Sequence, residues 1–411
     1  MGYPAQDVEI LRRLAEQVAR LAARPINGQR AAMWTRFNGL RPERPMVLIF
    51  PEGSWRELLP EEQLQCRDPF CRGLEGELRR RIYHGEILDD DNVIRGDVLS
   101  SPVWSMSPWG VEVQRTQPDE ATGAHRFVPV LETDQDLDKL QLPQVTVDHV
   151  ATDQQYQRLT ELFDGILPVT RTGVGFTHFA PVDLFSMWVG LERLLWYLVD
   201  RPEWVHRGLQ RITDGYLGVL DALERENLLR LNNSADYCGS GGVGYTDELP
   251  RPDFDGVHVR PRDLWGFATS QIFSEVSPAM HQEFALHYEL QWLNRFGLNA
   301  YGCCEPLHKK LAEVMQIPRL RRVSMSPWVK VEEGAAQLQN RFIFSYKPNP
   351  ALVAGVTWEP EVVRRDTRRF LEQTRGCVVE MVLKDTHTCC HQPHRMAEWV
   401  RLAQEEAERL A

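Results

Sequence analysis

The sequence predicts an α/β protein, a (β/α)8 TIM-type barrel with an N-terminal helical extension and a small insertion around residues 113–150. Three observations carry that reading. The last third of the chain alternates strand-like and helix-like stretches four times, and strands alternating with helices build parallel sheets. Each of those strands closes on polar or reactive side chains: Cys303-Cys304-Glu305, then Ser326 and Trp328, then Lys347 and Asn349, then Lys384, Asp385 and His387. Barrel enzymes gather their working residues at C-terminal strand ends, which favours the barrel over a doubly wound sheet. Finally, 411 residues with 43% hydrophobic and 26% charged side chains are enough for one large core.

The elements follow in order. Residues 1–30 read as an N-terminal helix, with Ile10, Leu11, Leu14, Val18 and Leu21 at helical spacing, and 31–411 as a single barrel. RPERPMVLIFPEGSW is a turn, a buried strand from Met46 to Phe50 and a loop carrying Glu52 and Trp55. NVIRGDVLSSPVW is a second strand candidate. Residues 113–150, rich in Asp, Gln, Thr and Pro, form an excursion. Residues 183–224 are strongly helical with one break near Pro202, and Ser277-Pro278 opens a further helix. Then come LNAYGCCEP (strand), HKKLAEVMQI (helix), RRVSMSP (strand), VEEGAAQLQ (helix), RFIFSYKPNP (strand), EVVRRDTRRFLEQTR (helix) and CVVEMVLKDTHT (strand). The closing helix, HRMAEWVRLAQEEAERLA, turns Met396, Trp399, Val400 and Leu402 inward. Arg364, Arg365, Arg368 and Arg369 span more than one helix face and read as solvated.

Charge narrows the partners. A net charge of -11 speaks against nucleic acid, whose binders present basic surfaces. The longest apolar stretch, Phe185 to Val199, is interrupted by Glu192 and Arg193 and is too short to cross a membrane. The opening MGYPAQDVEILRRLAEQ has no apolar signal core, so the expected compartment is the cytoplasm. The eight cysteines are too sparse for a disulfide scaffold, and four of them stand as two adjacent pairs.

Two motifs concentrate chemistry. In YGCCEP, Cys303 and Cys304 offer thiolates, which are strong zinc ligands, and Glu305 a carboxylate. In KDTHTCCHQPH, Asp385 and His387 alternate on a strand end and share one face, while Cys389, Cys390, His391 and His394 follow around the turn without an assigned role. Cys303, Glu305, Asp385 and His387 are the catalytic candidates. Cys303, Cys304 and His387 are the metal candidates, since strand ends converge on one mouth and a thiolate with an imidazole makes half of a tetrahedral zinc shell. GSGGVG (239–244) matches a dinucleotide fingerprint, but no helix follows it. It reads instead as a mobile lid flanked by Asp236, Tyr245, Asp247 and Glu248. Trp104, Trp109, Trp265 and Trp328 are candidates for an apolar lining. The substrate-binding candidates are Glu52, Trp104, Asp236, Tyr245, Glu248 and Trp328.

SPAMHQEFALHY (277–288) resembles the SPexxxeFxxPY helix signature of the uroporphyrinogen decarboxylase superfamily. VGLERLLWYLVDRPEWVHRGL (189–209) is similar to its helix-then-"DPE"-helix segment. The resemblance covers residues 30 to 411 and implies a (β/α)8 barrel. That superfamily includes true decarboxylases, corrinoid:thiol methyltransferases and, more distantly, cobalamin-independent methionine synthases. The chain resembles a separate branch marked by YGCCEPLH, SMSPW, KPNP and KDTH. The MRQAGR-type segment of true decarboxylases is absent, IFPEGSWRELLP offering only Arg56. The His-x-Cys zinc pair of the methyltransferases is replaced by Tyr301-Gly302-Cys303.

The resemblance and the two motifs together imply methyl transfer between a corrinoid or other methyl donor and a thiol or folate, at a Cys/His zinc site. The corrinoid would arrive on a separate partner protein. The alternative is a metal-free decarboxylase or lyase acting on an acidic small molecule, which would call for an arginine-lined pocket that the sequence does not display. A pure binding module has little need for vicinal thiols beside an Asp-x-His. The expected partner is a small-molecule substrate, with a homodimer as the open assembly.

Overall fold

The computed structural model describes residues 2–116, 126–175 and 178–410. The N-terminal stretch forms two helices, not one. Ala5–Ala22 buries Ile10, Leu11, Leu14, Val18 and Leu21, and Pro25–Asn38 restarts the helix because Pro25 fits its first turn. Strand β1 (Met46–Ile49) follows. The next strands are short: β2 (Val98–Ser100), β3 (Val103–Met106), β4 (Gln114–Arg115), β5 (Phe127–Val128), β6 (Val145–Asp148) and β7 (Val169–Arg171). β2 pairs with β7 in parallel, while β3 with β6 and β4 with β5 are antiparallel, so the 113–150 excursion hangs from the body as hairpin-like pairs. Three helices come next, Pro181–Val189, Leu191–Asp200 and Pro202–Arg225. The break at Pro202 is joined by one at Gly190, whose φ of +81° suits glycine and ends the first of the three.

The remaining strands are β8 (Trp265–Ala268), β9 (Leu298–Tyr301), β10 (Leu320–Met325), β11 (Ile343–Tyr346) and β12 (Val378–Leu383). With β1 they form one parallel sheet in the order β1-β12-β11-β10-β9-β8. The four strand–helix units expected at the C-terminal end are therefore in place. The expected closed ring of eight is not: among the described residues six strands share the ladder, and beyond it Phe179 meets Ala268 by a single parallel bridge. The short N-terminal strands pair among themselves instead of extending the ladder. Between β8 and β9, Ser277 caps the next helix by accepting the Met280 N–H at 3.2 Å.

Side chains alternate across the sheet. Val47, Ile49, Val323, Met325, Phe344, Val379, Met381 and Leu383 face the helices in the main core. Met46, Leu48, Ile343, Val378 and Val382 face the other way, together with Val243. That inner side also carries an ion pair between Arg322 and Glu380, both fully buried. The closing helix His394–Glu408 buries Met396, Trp399, Val400 and Leu402, as its sequence pattern requires. Burying side chains of that size stabilises by about 1.5–3 kcal/mol each. The arginine quartet is not simply solvated. Arg364 and Arg368 both reach the buried carboxylate of Glu406, at 2.9 Å each, and tie the last two helices together.

The Gly-rich segment is a plug inside the curve of the sheet, not a lid over it. Gly241 to Gly244 are buried. A Cβ on Gly239 would lie 2.7 Å from Ala300, one on Gly241 2.9 Å from Val382, and one on Gly242 2.4 Å from the Arg322 guanidinium. Neighbours from β9, β10 and β12 thus crowd one loop, so the sheet wraps around it. Asn38 fastens the plug by donating to the carbonyls of Val243 (2.7 Å) and Tyr245 (2.8 Å).

Candidate active site

Beyond β9 the chain turns at Gly302, with φ +85°, where a Cβ would stand 2.6 Å from the Ser324 carbonyl oxygen. Glu305, 1% exposed, then folds under the turn. Its Oε2 accepts the Cys303 N–H at 2.6 Å, and its Oε1 accepts the Thr269 hydroxyl at 2.8 Å and the Ser270 N–H at 3.2 Å. Those contacts hold the thiol-bearing loop in place, so Glu305 is a positioning residue.

The Sγ atoms of Cys303 and Cys304 are 3.4 Å apart. Ser240, from the plug, donates to Cys303 Sγ at 3.0 Å, and Lys384 Nζ donates to Ser240 Oγ at 3.3 Å. Cys304 also faces Asp385 Oδ2 at 3.7 Å. The hydrogen bond from Cys304 pulls the Cys303 thiol down to about 6, with the Lys384 charge and the Ser240 hydroxyl assisting against burial. The same bond, with burial, pushes Cys304 up. Of the coupled pair, Cys303 is thus the thiol that ionises first.

Two walls flank this thiolate. On one side stand lysines. Lys347, just past β11, is 2% exposed and donates to Ser345 Oγ at 3.2 Å. Burial draws its ammonium down to about 8. Lys384 is held above its ordinary value although burial opposes its charge, because Cys303, Asp385 and Glu52 surround it. On the other side stand acids gathered by the loop after β8. Asp183 Oδ1 accepts the Ile272 N–H at 3.3 Å, while its Oδ2 is buried with no partner among the described residues. Burial raises this carboxyl to about 7, with the charges of Glu305 and Cys303 adding to the effect. Glu289 accepts from Ser270 Oγ at 2.7 Å and Tyr301 OH at 2.8 Å, and burial raises it to about 8.

The sequence candidates fare unequally. Cys303, Cys304, Glu305 and Asp385 meet. Glu52 joins them: its Oε2 accepts the Asp385 N–H at 2.6 Å and its Oε1 lies 3.8 Å from Lys384 Nζ. Both Glu52 (φ +44°) and Asp385 (φ +58°) adopt left-handed backbone, a strain that each helps the other to hold. His387 is turned elsewhere. After the kink at Asp385, Thr386 is tied to the carbonyls of Phe50 (2.9 Å) and Pro51 (2.6 Å), and His387 is exposed against Gly53. Cys389 bonds Glu57 instead, at 3.0 Å.

Asp236 pairs with Arg230 at 2.7 Å. Glu248 holds Arg321 at 2.6 and 2.9 Å, at the N-terminal end of β10 and so at the opposite end of the strands from the thiols. Tyr245 lies beside the plug's anchor to Asn38. Trp104 packs half-buried against the main core, Trp109 and Trp265 are buried in separate clusters, and Trp328 is 73% exposed. The tryptophans thus line no common pocket. Asp183 and Glu289 carried no sequence signal. Lys347 and Lys384 did, as polar residues at two strand ends, but without a role.

Among the described residues, no group of three or more His, Cys, Asp and Glu side chains is arranged to hold a metal ion. The shell expected from Cys303, Cys304 and His387 is not assembled, because the left-handed turn at Asp385 carries the imidazole away. The residues as placed do not fit zinc. Among them too, no helix is long and apolar enough to cross a membrane.

No family model and no curated protein matches the chain. Among solved structures, it aligns with a methyltransferase from Methanosarcina mazei at a TM-score of 0.37 and 10% identity, covering 64% of this chain and 72% of that one. A superposition that loose carries no weight for either fold or chemistry.

Proposed function

We propose that the protein is an enzyme of the methyltransferase class, that its curved sheet is the wall of a (β/α)8-type barrel, and that the Cys303 thiolate is the base of the reaction. The observation that carries this is the Ser240–Cys303–Cys304 arrangement at the C-terminal strand ends, where Ser240 donates to the Cys303 sulfur at 3.0 Å and the Cys304 sulfur lies 3.4 Å from it. Methyl transfer to sulfur needs the acceptor as a thiolate. Cys303 takes the proton from the acceptor S–H. The acceptor sulfur then bonds to the methyl carbon, the bond from that carbon to the donor breaks, and its electron pair leaves with the donor. The proton on Cys303 passes to solvent before the next cycle. A methyl corrinoid presented by a separate protein, or a methylated folate, suits the role of donor.

Supplied with methylcobalamin and a small thiol, the purified protein is expected to form the methyl thioether. Cys303→Ser should lower that rate by about 100-fold or more, the usual worth of a general base. Alkylation of Cys303 by iodoacetamide, followed against pH, should show half-ionisation near 6, against ~8.5 for an ordinary thiol. An ordinary thiol titration, or full turnover in Cys303→Ser, overturns the reading.

A further inference from the structure

The inner floor beside Cys303 holds a buried ammonium, Lys347, that no carboxylate contacts among the described residues. Arg322 already occupies both oxygens of Glu380, at 2.9 and 3.3 Å. Lys347, one pleat below Lys384 on the adjoining strand, has no carboxylate within ion-pair distance among the described residues, and its one hydrogen bond, to Ser345 Oγ, leaves two ammonium protons without acceptors. Burying an ammonium in that state is costly unless something anionic comes to it. Lys384 meets Glu52 at 3.8 Å, with the Cys303 sulfur and the Asp385 carboxylate also close. Ser240 Oγ bridges this cationic floor to the thiolate, 3.3 Å from Lys384 Nζ and 3.0 Å from Cys303 Sγ. An anionic group held at Lys384 would therefore stand two hydrogen bonds from the Cys303 sulfur. Gly241 lets the plug backbone lie close to the ammonium: a Cβ there would come within 3.3 Å of Lys347 Nζ.

We propose that Lys347, Lys384 and Ser240 form an anion subsite, and that the substrate worked on at Cys303 carries a carboxylate within a bond or two of its reacting atom. This rests on Cys303 being the working thiolate. The cationic lining that the sequence failed to display as arginine is supplied by lysine, from two adjacent strand ends.

Two alkylating probes of nearly equal size test it. Iodoacetate carries a carboxylate next to the reacting carbon, and iodoacetamide a neutral amide. In each case the Cys303 sulfur bonds to the methylene carbon and iodide leaves with the electron pair. At an ordinary thiolate, like-charge repulsion makes iodoacetate the slower reagent. With the full-length protein at neutral pH, where Cys303 is ionised and Lys347 still charged, modification of Cys303 is read by peptide mass spectrometry. Iodoacetate is expected to be the faster by about tenfold, the worth of one charged hydrogen bond. Lys347→Met and Lys384→Gln should each bring the ratio of the two rates below one.

Because both reagents attack the same sulfur, the ratio is independent of how much thiolate is present. If a variant does not fold, the wild type still decides: acetate should protect Cys303 against iodoacetamide and acetamide should not. A wild-type ratio below one, a preference kept in both variants, or absence of acetate protection overturns the proposal. Slow labelling by both reagents would instead count against the thiolate itself, and so against the proposed function.

Discussion

Glu380→Ala is expected to destabilise the protein by about 3–5 kcal/mol, the cost of breaking a buried ion pair from one side. Both partners are fully buried. Arg322 Nε and Nη2 donate to the two carboxylate oxygens, Nη2 also donates to Asn38 Oδ1 at 2.8 Å, and the guanidinium lies over the Trp265 ring at 5.3 Å. Its Nη1 is buried with no partner among the described residues. Removing the carboxylate leaves a cation with a neutral amide oxygen and a ring as company, beside Lys347, which repels it. Glu380→Gln keeps the shape and one acceptor and should lose less. Urea unfolding with an unchanged slope measures both. A loss below about 1 kcal/mol for Glu380→Ala would mean that water solvates Arg322, and that the inner floor is wet.

Gly242→Ala should cost about 2–5 kcal/mol, the sum of ~1–2 for a side chain in left-handed backbone and ~1–3 for overpacking. Its φ is +86°, and the new methyl would stand 2.4 Å from Arg322 Cζ. Arginine ends usually move aside, but this one is clamped by Glu380 and Asn38. The expected result is a lower melting temperature and faster proteolysis. Gly218→Ala, where a Cβ meets nothing within 4 Å on a helix, serves as the control. A Gly242→Ala protein as stable as that control would restore the segment to a loop free of the sheet.

The four closing strand–helix units were legible because their signals are local: apolar runs of strand length, helical periodicity between them, and reactive residues at the ends. The N-terminal half was less so. β2 to β7 are too short for alternation to declare itself, and nothing local tells a strand to pair outside the main ladder. Glycine in GSGGVG was ambiguous in a particular way. Absence of a side chain serves a mobile loop and a tightly enclosed one equally, and only the neighbours, contributed from residues 300 to 382, distinguish them. The candidate site divides along the same line. Cys303 and Asp385 were readable from strand-end position, which fixes height along the sheet. Direction was not readable, and the left-handed turn at Asp385 sends His387 over Gly53. Asp183 sits on a helix remote in sequence from the thiols and reaches them only through the loop after β8.

The enclosed plug also constrains the order in which the chain assembles. Residues 239–244 precede β8 to β12 in sequence, yet the side chains around them come from those later strands and from Asn38, some two hundred positions earlier. A sheet that curves before the segment is seated must admit it from its open side, past the Ala300, Val382 and Arg322 side chains that crowd it. Synthesis from the ribosome supplies the parts in that order, with the plug emerging before the strands that surround it. Refolding from denaturant offers no such sequence of arrival. There, strands that pair before the plug is seated produce a collapsed sheet with Arg322, Glu380 and Lys347 facing an empty interior, so recovery from denaturant should lag behind folding during synthesis.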